Sequence, residues 1–264
     1  MPDTSRRDFL KTTAAAAALG LLPDTLHAAE PVLGLMYPPP NYPLPPEVTQ
    51  LYPKGIKFLA EGLGLEKMTP EEYDRVVPRI MPAADRMKKA GATALSIMGT
   101  SLTFYKGAKY NQELIDGVRK ATGLPTTSMS TGIVKGLQAV NAKRIAVATA
   151  YSDEVNNRLK LFLQESGFEI LGLKGMGIVS FADAPPVTQE GLFKFCGDTY
   201  AAFPKADALL VSCGNLKTTD LVVPLEAQCK VPVVSSTPAA LWYSVKTAGV
   251  SGKSAGFGQL LSKG

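Results

Sequence analysis

The stretch Ala208-Leu209-Leu210-Val211-Ser212-Cys213-Gly214-Asn215 sets the fold expected of this chain. Its first four residues form an unbroken apolar run, and small polar residues and a glycine follow. Continuous apolar runs belong to strands covered on both faces, as in parallel α/β sheets. The break at Ser212-Cys213-Gly214 therefore marks the carboxyl end of a strand, the side on which such sheets bind ligands. A second stretch, Ser96-Ile97-Met98-Gly99-Thr100-Ser101, closes another apolar run in the same way. Hydroxyls stand at one end and a single thiol at the other. A small cleft between two such ends suits delivery of a proton to one face of a carbanion.

Strand and helix patterns alternate outward from these two runs. Residues 32–37 form a buried strand that Pro38-Pro39-Pro40 ends, and a proline-rich loop is expected as far as Pro53. Thr69-Pro70-Glu71-Glu72 has the form of a capping box with proline in the first turn. The helix it starts has apolar residues at helical spacing, a kink or break is expected at Pro78 and Pro82, and Gly91 ends it. Further strands are expected at 94–98, 126–129, 144–150, 168–173, 208–212 and 231–235. Helices are expected at 111–121, 133–140, 153–165 (capped by Ser152), 189–203, 219–229 and 238–247. Such alternation predicts parallel sheets with helices on both faces. A boundary between two units is expected near Thr122-Gly123-Leu124-Pro125.

Composition excludes several functions. The chain has 264 residues, 45% hydrophobic and 19% charged, which is enough for a real core. The net charge of +5 is not gathered into a basic stripe with aromatics, so nucleic-acid binding is not expected. Ser5-Arg6-Arg7-Asp8-Phe9-Leu10-Lys11, a short alanine-rich apolar stretch and Ala28-Ala29 read as a twin-arginine export signal over residues 1–29. The stretch is too short to span a bilayer comfortably, and no membrane association is expected of the mature protein. Export machinery is the partner of the leader, and the periplasm its destination. The single histidine, His27, lies in that leader. The mature chain therefore cannot run Ser-His or Cys-His catalysis, nor hold zinc through histidines. Three cysteines remain, Cys196, Cys213 and Cys229, without CxxC spacing, so no metal site is expected. No GxGxxG or P-loop pattern opens a helix, and no cofactor is expected.

The strand-end rule gathers Pro38, Pro39, Gly99, Thr100, Ser101, Tyr151, Cys213 and Gly214 in one place if the sheets face each other. From spacing alone Cys213 is either a catalytic thiol or a strand-end core cysteine. Thr100 and Ser101 are either ligand donors or helix caps, and Tyr151 either a donor or a packing residue. Asp153 and Glu154 are helix-start charges.

Four segments in fixed order together resemble the arylmalonate decarboxylase family of the aspartate/glutamate racemase superfamily. They are Ser96 to Tyr105, Ala148-Thr149-Ala150-Tyr151, Ser212-Cys213-Gly214 and Pro232 to Pro238. Gly34-Leu35-Met36-Tyr37-Pro38-Pro39 and Gly62-Leu63-Gly64-Leu65 add to the likeness, which runs from Gly34 to about Phe257. The resemblance implies two similar parallel-sheet α/β domains facing each other across a cleft, divided as 30–122 with 236–264 and 123–235. It implies a cofactor-independent carboxy-lyase acting on a small dicarboxylate, an aryl- or alkenyl-substituted malonate. Racemases and maleate isomerase of the superfamily have a cysteine at both strand ends. The decarboxylases keep only the second, as Gly99 and Cys213 do here. By the same likeness Cys213 is the proton donor, and Thr100, Ser101, Tyr151, Gly214 and Gly99 form the oxyanion pocket. Pro38, Pro39, Leu65, Met68 and Tyr73 line the substrate pocket. Asn215 departs from the glycine of the family, and Met68 is bulkier than the residue usual there; both bear on substrate size. A racemase or cis-trans isomerase of the same superfamily, and an exported carboxylate-binding protein, are the alternative readings.

Overall fold

The structure, a computed structural model, describes residues 29–41, 43–180, 182 and 185–264. The reading of residues 1–28 as a leader, including His27, lies outside the described residues.

Among the described residues, eight strands form two four-stranded parallel sheets with the same order. The first holds β1 (Val32–Tyr37), β2 (Lys57–Gly62), β3 (Ala94–Ile97) and β4 (Thr126–Ser128), ordered β2-β1-β3-β4. The second holds β5 (Arg144–Thr149), β6 (Glu169–Gly175), β7 (Ala208–Ser212) and β8 (Val233–Ser235), ordered β6-β5-β7-β8. The central strands are almost wholly buried, which is why they carry the apolar runs seen in the sequence.

The helices are α1 (Pro46–Leu51), α2 (Pro70–Val76), α3 (Ile80–Lys89), α4 (Thr100–Phe104) and α5 (Gly107–Thr122). They continue with α6 (Met129–Ala139), α7 (Asp153–Glu165), α8 (Gln189–Ala202), α9 (Val222–Cys229) and α10 (Ser236–Thr247). Thr69 caps α2, its hydroxyl accepting from the Glu72 N–H at 3.4 Å. The second half of the expected box is missing: the Glu72 carboxylate pairs with Arg75 at 2.6 Å instead. Ser152 stands at the cap position of α7 but makes no capping bond. At Pro78 the helix breaks: α2 stops at Val76, one 3-10 turn covers Val77–Arg79, and α3 restarts at Ile80. Pro82 causes no second break, because it sits in the first turn of α3, where no N–H is needed.

Three features differ from the sequence reading. The proline-rich loop contains α1, which Pro46 starts at a position that suits proline. The strand β2, not expected from the sequence, pairs with β1 along its whole length. Gly123 does not separate the sheets. It holds a left-handed φ of 73° that ends α5, and β4 beyond it still pairs with β3 in the first sheet.

Two helices tie the halves together. The α10 helix leaves β8 in the second sheet and runs onto the first, where Ser244 donates to Ser96 on β3 at 2.8 Å. It packs on α6 with almost no side chain between. A Cβ placed on Gly132 would lie 2.7 Å from the Cα of Ala240, so only glycine fits there. The C-terminal segment then returns to the first half, where Ser254 donates to the Leu51 carbonyl at 2.9 Å.

Candidate active site

The carboxyl ends of β1, β3, β5 and β7 converge on one cavity of about 460 Å³. The first sheet supplies Pro38 and Pro39 after β1, and Gly99, Thr100 and Ser101 after β3. The second supplies Tyr151 after β5, and Cys213 and Gly214 after β7. Leu65 and Met68 reach over from the loop after β2. One backbone bond spans the roof: Met68 N–H donates to the Val179 carbonyl at 2.8 Å. Tyr73 does not line the cavity. It is fully buried behind it, with its ring edge-on to Tyr105 at 5.0 Å and its hydroxyl beside Ser101.

Cys213 is 5% exposed. Burial pushes its thiol up to about 11, against the partial pull of the Asn215 N–H, the Tyr151 hydroxyl and the Leu216 N–H. A thiol in that state holds its proton at neutral pH, as an acid must and a nucleophile must not. The backbone around it is pinned, with its N–H donating to Ser236 at 3.1 Å.

Neutral donors from both sheets make up the polar part of the lining. The first residues of α4, Thr100 and Ser101, lie in a turn whose leading N–H groups have no partner within the helix. The Thr100 hydroxyl rests on the sulfur of Met129 at 2.7 Å, a weak acceptor that a carboxylate would displace. Tyr151 is buried, and burial first, then the nearby Cys213, raises its phenol well above the ordinary range. Its hydroxyl neighbours Ser212, Thr100 and Cys213 without a hydrogen bond of good geometry to any of them. A polar atom so enclosed and unpaired costs free energy in the resting protein, and a bound carboxylate would relieve it. Asn156 holds the turn that carries Tyr151. It accepts from Thr149 at 2.6 Å and donates to the Tyr151 carbonyl at 3.1 Å.

Gly99 lines the same cavity as the thiol. A Cβ there would meet Pro38 Cγ at 2.7 Å and Leu102 Cβ at 2.9 Å, so the wall is closed up to the backbone. No cluster of three metal-ligating side chains occurs among the described residues. Charged groups in the lining, Glu66 and Lys67, are exposed at the rim. Sequence reasoning missed these two, and also Met129 and Val179. Met129 directly follows β4, so the strand-end rule applied to that strand would have found it.

Two parallel-sheet lobes whose strand ends share one cavity, lined by a thiol and neutral donors, define the racemase-like class of α/β enzymes. The arylmalonate decarboxylase family model matches residues 33–261, and the chain belongs to that family of carboxy-lyases. It is 41% identical over 237 residues to arylmalonate decarboxylase of Bordetella bronchiseptica, spanning 89% of this chain and 98% of that one. The solved structure of unliganded arylmalonate decarboxylase superposes with a TM-score of 0.80 at 41% identity, over 88% of this chain and 98% of that one. A liganded double variant of arylmalonate decarboxylase, with one glycine changed to cysteine and one cysteine to serine, gives 0.85 at 41% identity over 88% and 99%. The maleate isomerase Iso from Pseudomonas putida S16 gives 0.78 at 20% identity over 88% and 98%, a likeness of fold. Residues 3–23 match the twin-arginine translocation signal, which points to the periplasm. Among the described residues no helix is long and apolar enough to cross a membrane.

Proposed function

We propose that the protein decarboxylates malonates bearing an aryl or alkenyl substituent, with one cysteine supplying the proton. The observation that carries this reading is the pairing of a protonated, buried Cys213 with Thr100, Ser101 and Tyr151 around one cavity, and a glycine where a second thiol would stand. One substrate carboxylate takes the hydroxyl and N–H donors of Thr100, Ser101, Tyr151 and Gly214. The other lies against Leu65, Met68 and the prolines, where an ionised group is poorly solvated. Its C–C bond breaks, carbon dioxide leaves, and the bond electrons pass into the held carboxylate as an enediolate. Fixed donors stabilise that growing charge by roughly 2.7–4 kcal/mol each. The unsaturated substituent spreads the rest. Cys213 then gives its proton to the carbon, and water restores the thiol. With no acid on the Gly99 side, protonation occurs from one face and the product is enriched in one enantiomer.

The test is carbon dioxide release from phenylmalonate and its α-methyl analogue by wild type and Cys213→Ala. Wild-type turnover that the variant loses, with an unchanged circular dichroism spectrum, supports the assignment. Full activity in the variant removes the cysteine as donor, and no release by wild type counts against the substrate class.

A further inference from the structure

Each wall of the cavity hangs from a serine in the first turn of a neighbouring helix. On the hydroxyl wall Ser130 of α6 donates to the Thr100 carbonyl at 3.0 Å and shares a 2.6 Å bond with Thr103. On the thiol wall the peptide N–H of Cys213 donates to Ser236 of α10 at 3.1 Å. The next residue, Thr237, donates to the carbonyl of Gly214 at 3.2 Å. Two consecutive hydroxyls thus hold the peptide entering Cys213 and the peptide leaving Gly214. The two connections are equivalent, β4 into α6 and β8 into α10, and the two helices touch backbone to backbone at Gly132 and Ala240. Ser130 and Ser236 are fully buried, and Thr237 nearly so. Neither Ser236 nor Thr237 is among the residues that line the cavity.

We propose that Ser236 and Thr237 are positioning residues for the thiol: they fix the side from which Cys213 meets the substrate carbon, and the α6–α10 contact fixes that side relative to Thr100 and Ser101. Without the clamp the Cys213 N–H is left buried and unpaired, and the turn must rearrange to satisfy it. Such a rearrangement swings the Cα–Cβ bond of Cys213 and changes the angle at which its S–H points. The stereochemical part of this inference rests on the decarboxylase reading; the geometric part does not.

The experiment compares wild type, S236A, T237V and S236T, using α-methyl-α-phenylmalonate as substrate. Loss of the clamp lowers kcat roughly tenfold, the effect of one buried hydrogen bond, with KM within about twofold. Enantiomeric excess falls in S236A and T237V, and S236T, which keeps the hydroxyl, recovers both readouts. Wild-type kcat and enantiomeric excess in both deletion variants, with only a lower melting temperature, would overturn the proposal. So would losses in S236A that S236T shares. A second arm needs no turnover: the alkylation rate of Cys213 by iodoacetamide, read by peptide mass spectrometry. A change of about threefold or more in S236A supports the clamp even if wild type releases no carbon dioxide, and an unchanged rate overturns it. Should S236A fail to fold, T237V leaves the Cys213 bond in place and decides the matter by the same readouts.

Discussion

Titrating the Cys213 thiol tests the chemistry most directly, because a proton donor and a nucleophile require opposite shifts. Burial pushes this thiol up to about 11, and the N–H groups of Asn215 and Leu216 and the Tyr151 hydroxyl recover only part of that shift. At pH 8 an unperturbed thiol, with a pKa of about 8.5, is roughly one quarter thiolate. A thiol at about 11 is then ionised to roughly one part in a thousand, some 200-fold less. The assay is the thiolate absorbance near 240 nm, recorded as wild type minus Cys213→Ala from about pH 6 to pH 12. The difference signal should stay flat through neutrality and rise with a midpoint near 11. The rate kcat/KM should hold over the same flat range and fall on the alkaline limb as the proton is lost. Stability follows the same sign. The folded pKa is raised above the unfolded value, so the contribution is complete below about pH 8.5 and is lost as pH climbs toward the folded value. Between those limits the slope is at most about 1.4 kcal/mol per pH unit for this one group. A thiolate midpoint at or below about 8 would refute the reasoning, since much of the resting enzyme would then lack the proton that the proposed mechanism delivers.

Three further outcomes are expected. Gly99→Cys must push aside Pro38 and Leu102, which lie 2.7 and 2.9 Å from the new Cβ. Overpacking of that kind costs about 1–3 kcal/mol, so the melting temperature should fall by several degrees. Position 99 lines the cavity that Cys213 also lines, so deuterium should wash into the α-carbon of enantiopure 2-phenylpropionate in D2O; no wash-in would speak against a cleft flanked by two acids. Tyr151→Phe removes a buried hydroxyl that lacks a protein partner, so denaturant unfolding should show little or no loss of stability. Its kcat should nonetheless drop by roughly 10²–10³, and an unchanged kcat would remove Tyr151 from the donors. Thr69→Ala deletes the cap of α2 and should cost about 1 kcal/mol in chemical denaturation while leaving kcat alone.

What the sequence revealed follows burial. The strands β1, β3, β5 and β7 are covered on both faces, so their residues are nearly all apolar and stand out. The edge strand β2, Lys57–Gly62, is only partly buried along its length and has a lysine and a glutamate among its six residues. That leaves no run to notice. The α1 helix was hidden by its own start, since Pro45 and Pro46 read as loop until the second is seen to occupy the first turn. Among the site residues, those directly after a strand were accessible to a topological rule. Tyr73 belongs with the pocket by likeness alone; its ring packs on Tyr105 and its hydroxyl lies beside Ser101. Lys67 and Val179 come from loops after edge strands, where no local pattern announces that two distant segments will meet.

The peptide link from Met68 to Val179 has a consequence for traffic. Both loops leave outermost strands, while the reacting groups stand on innermost ones. A single such link contributes only about 0.5–1.5 kcal/mol net, a weak tie between the two loops. The two loops are therefore only loosely latched to each other, apart from the masonry of strands beneath. A lineage adapting to bulkier or slimmer acids could rewrite the two flaps and leave proton transfer untouched.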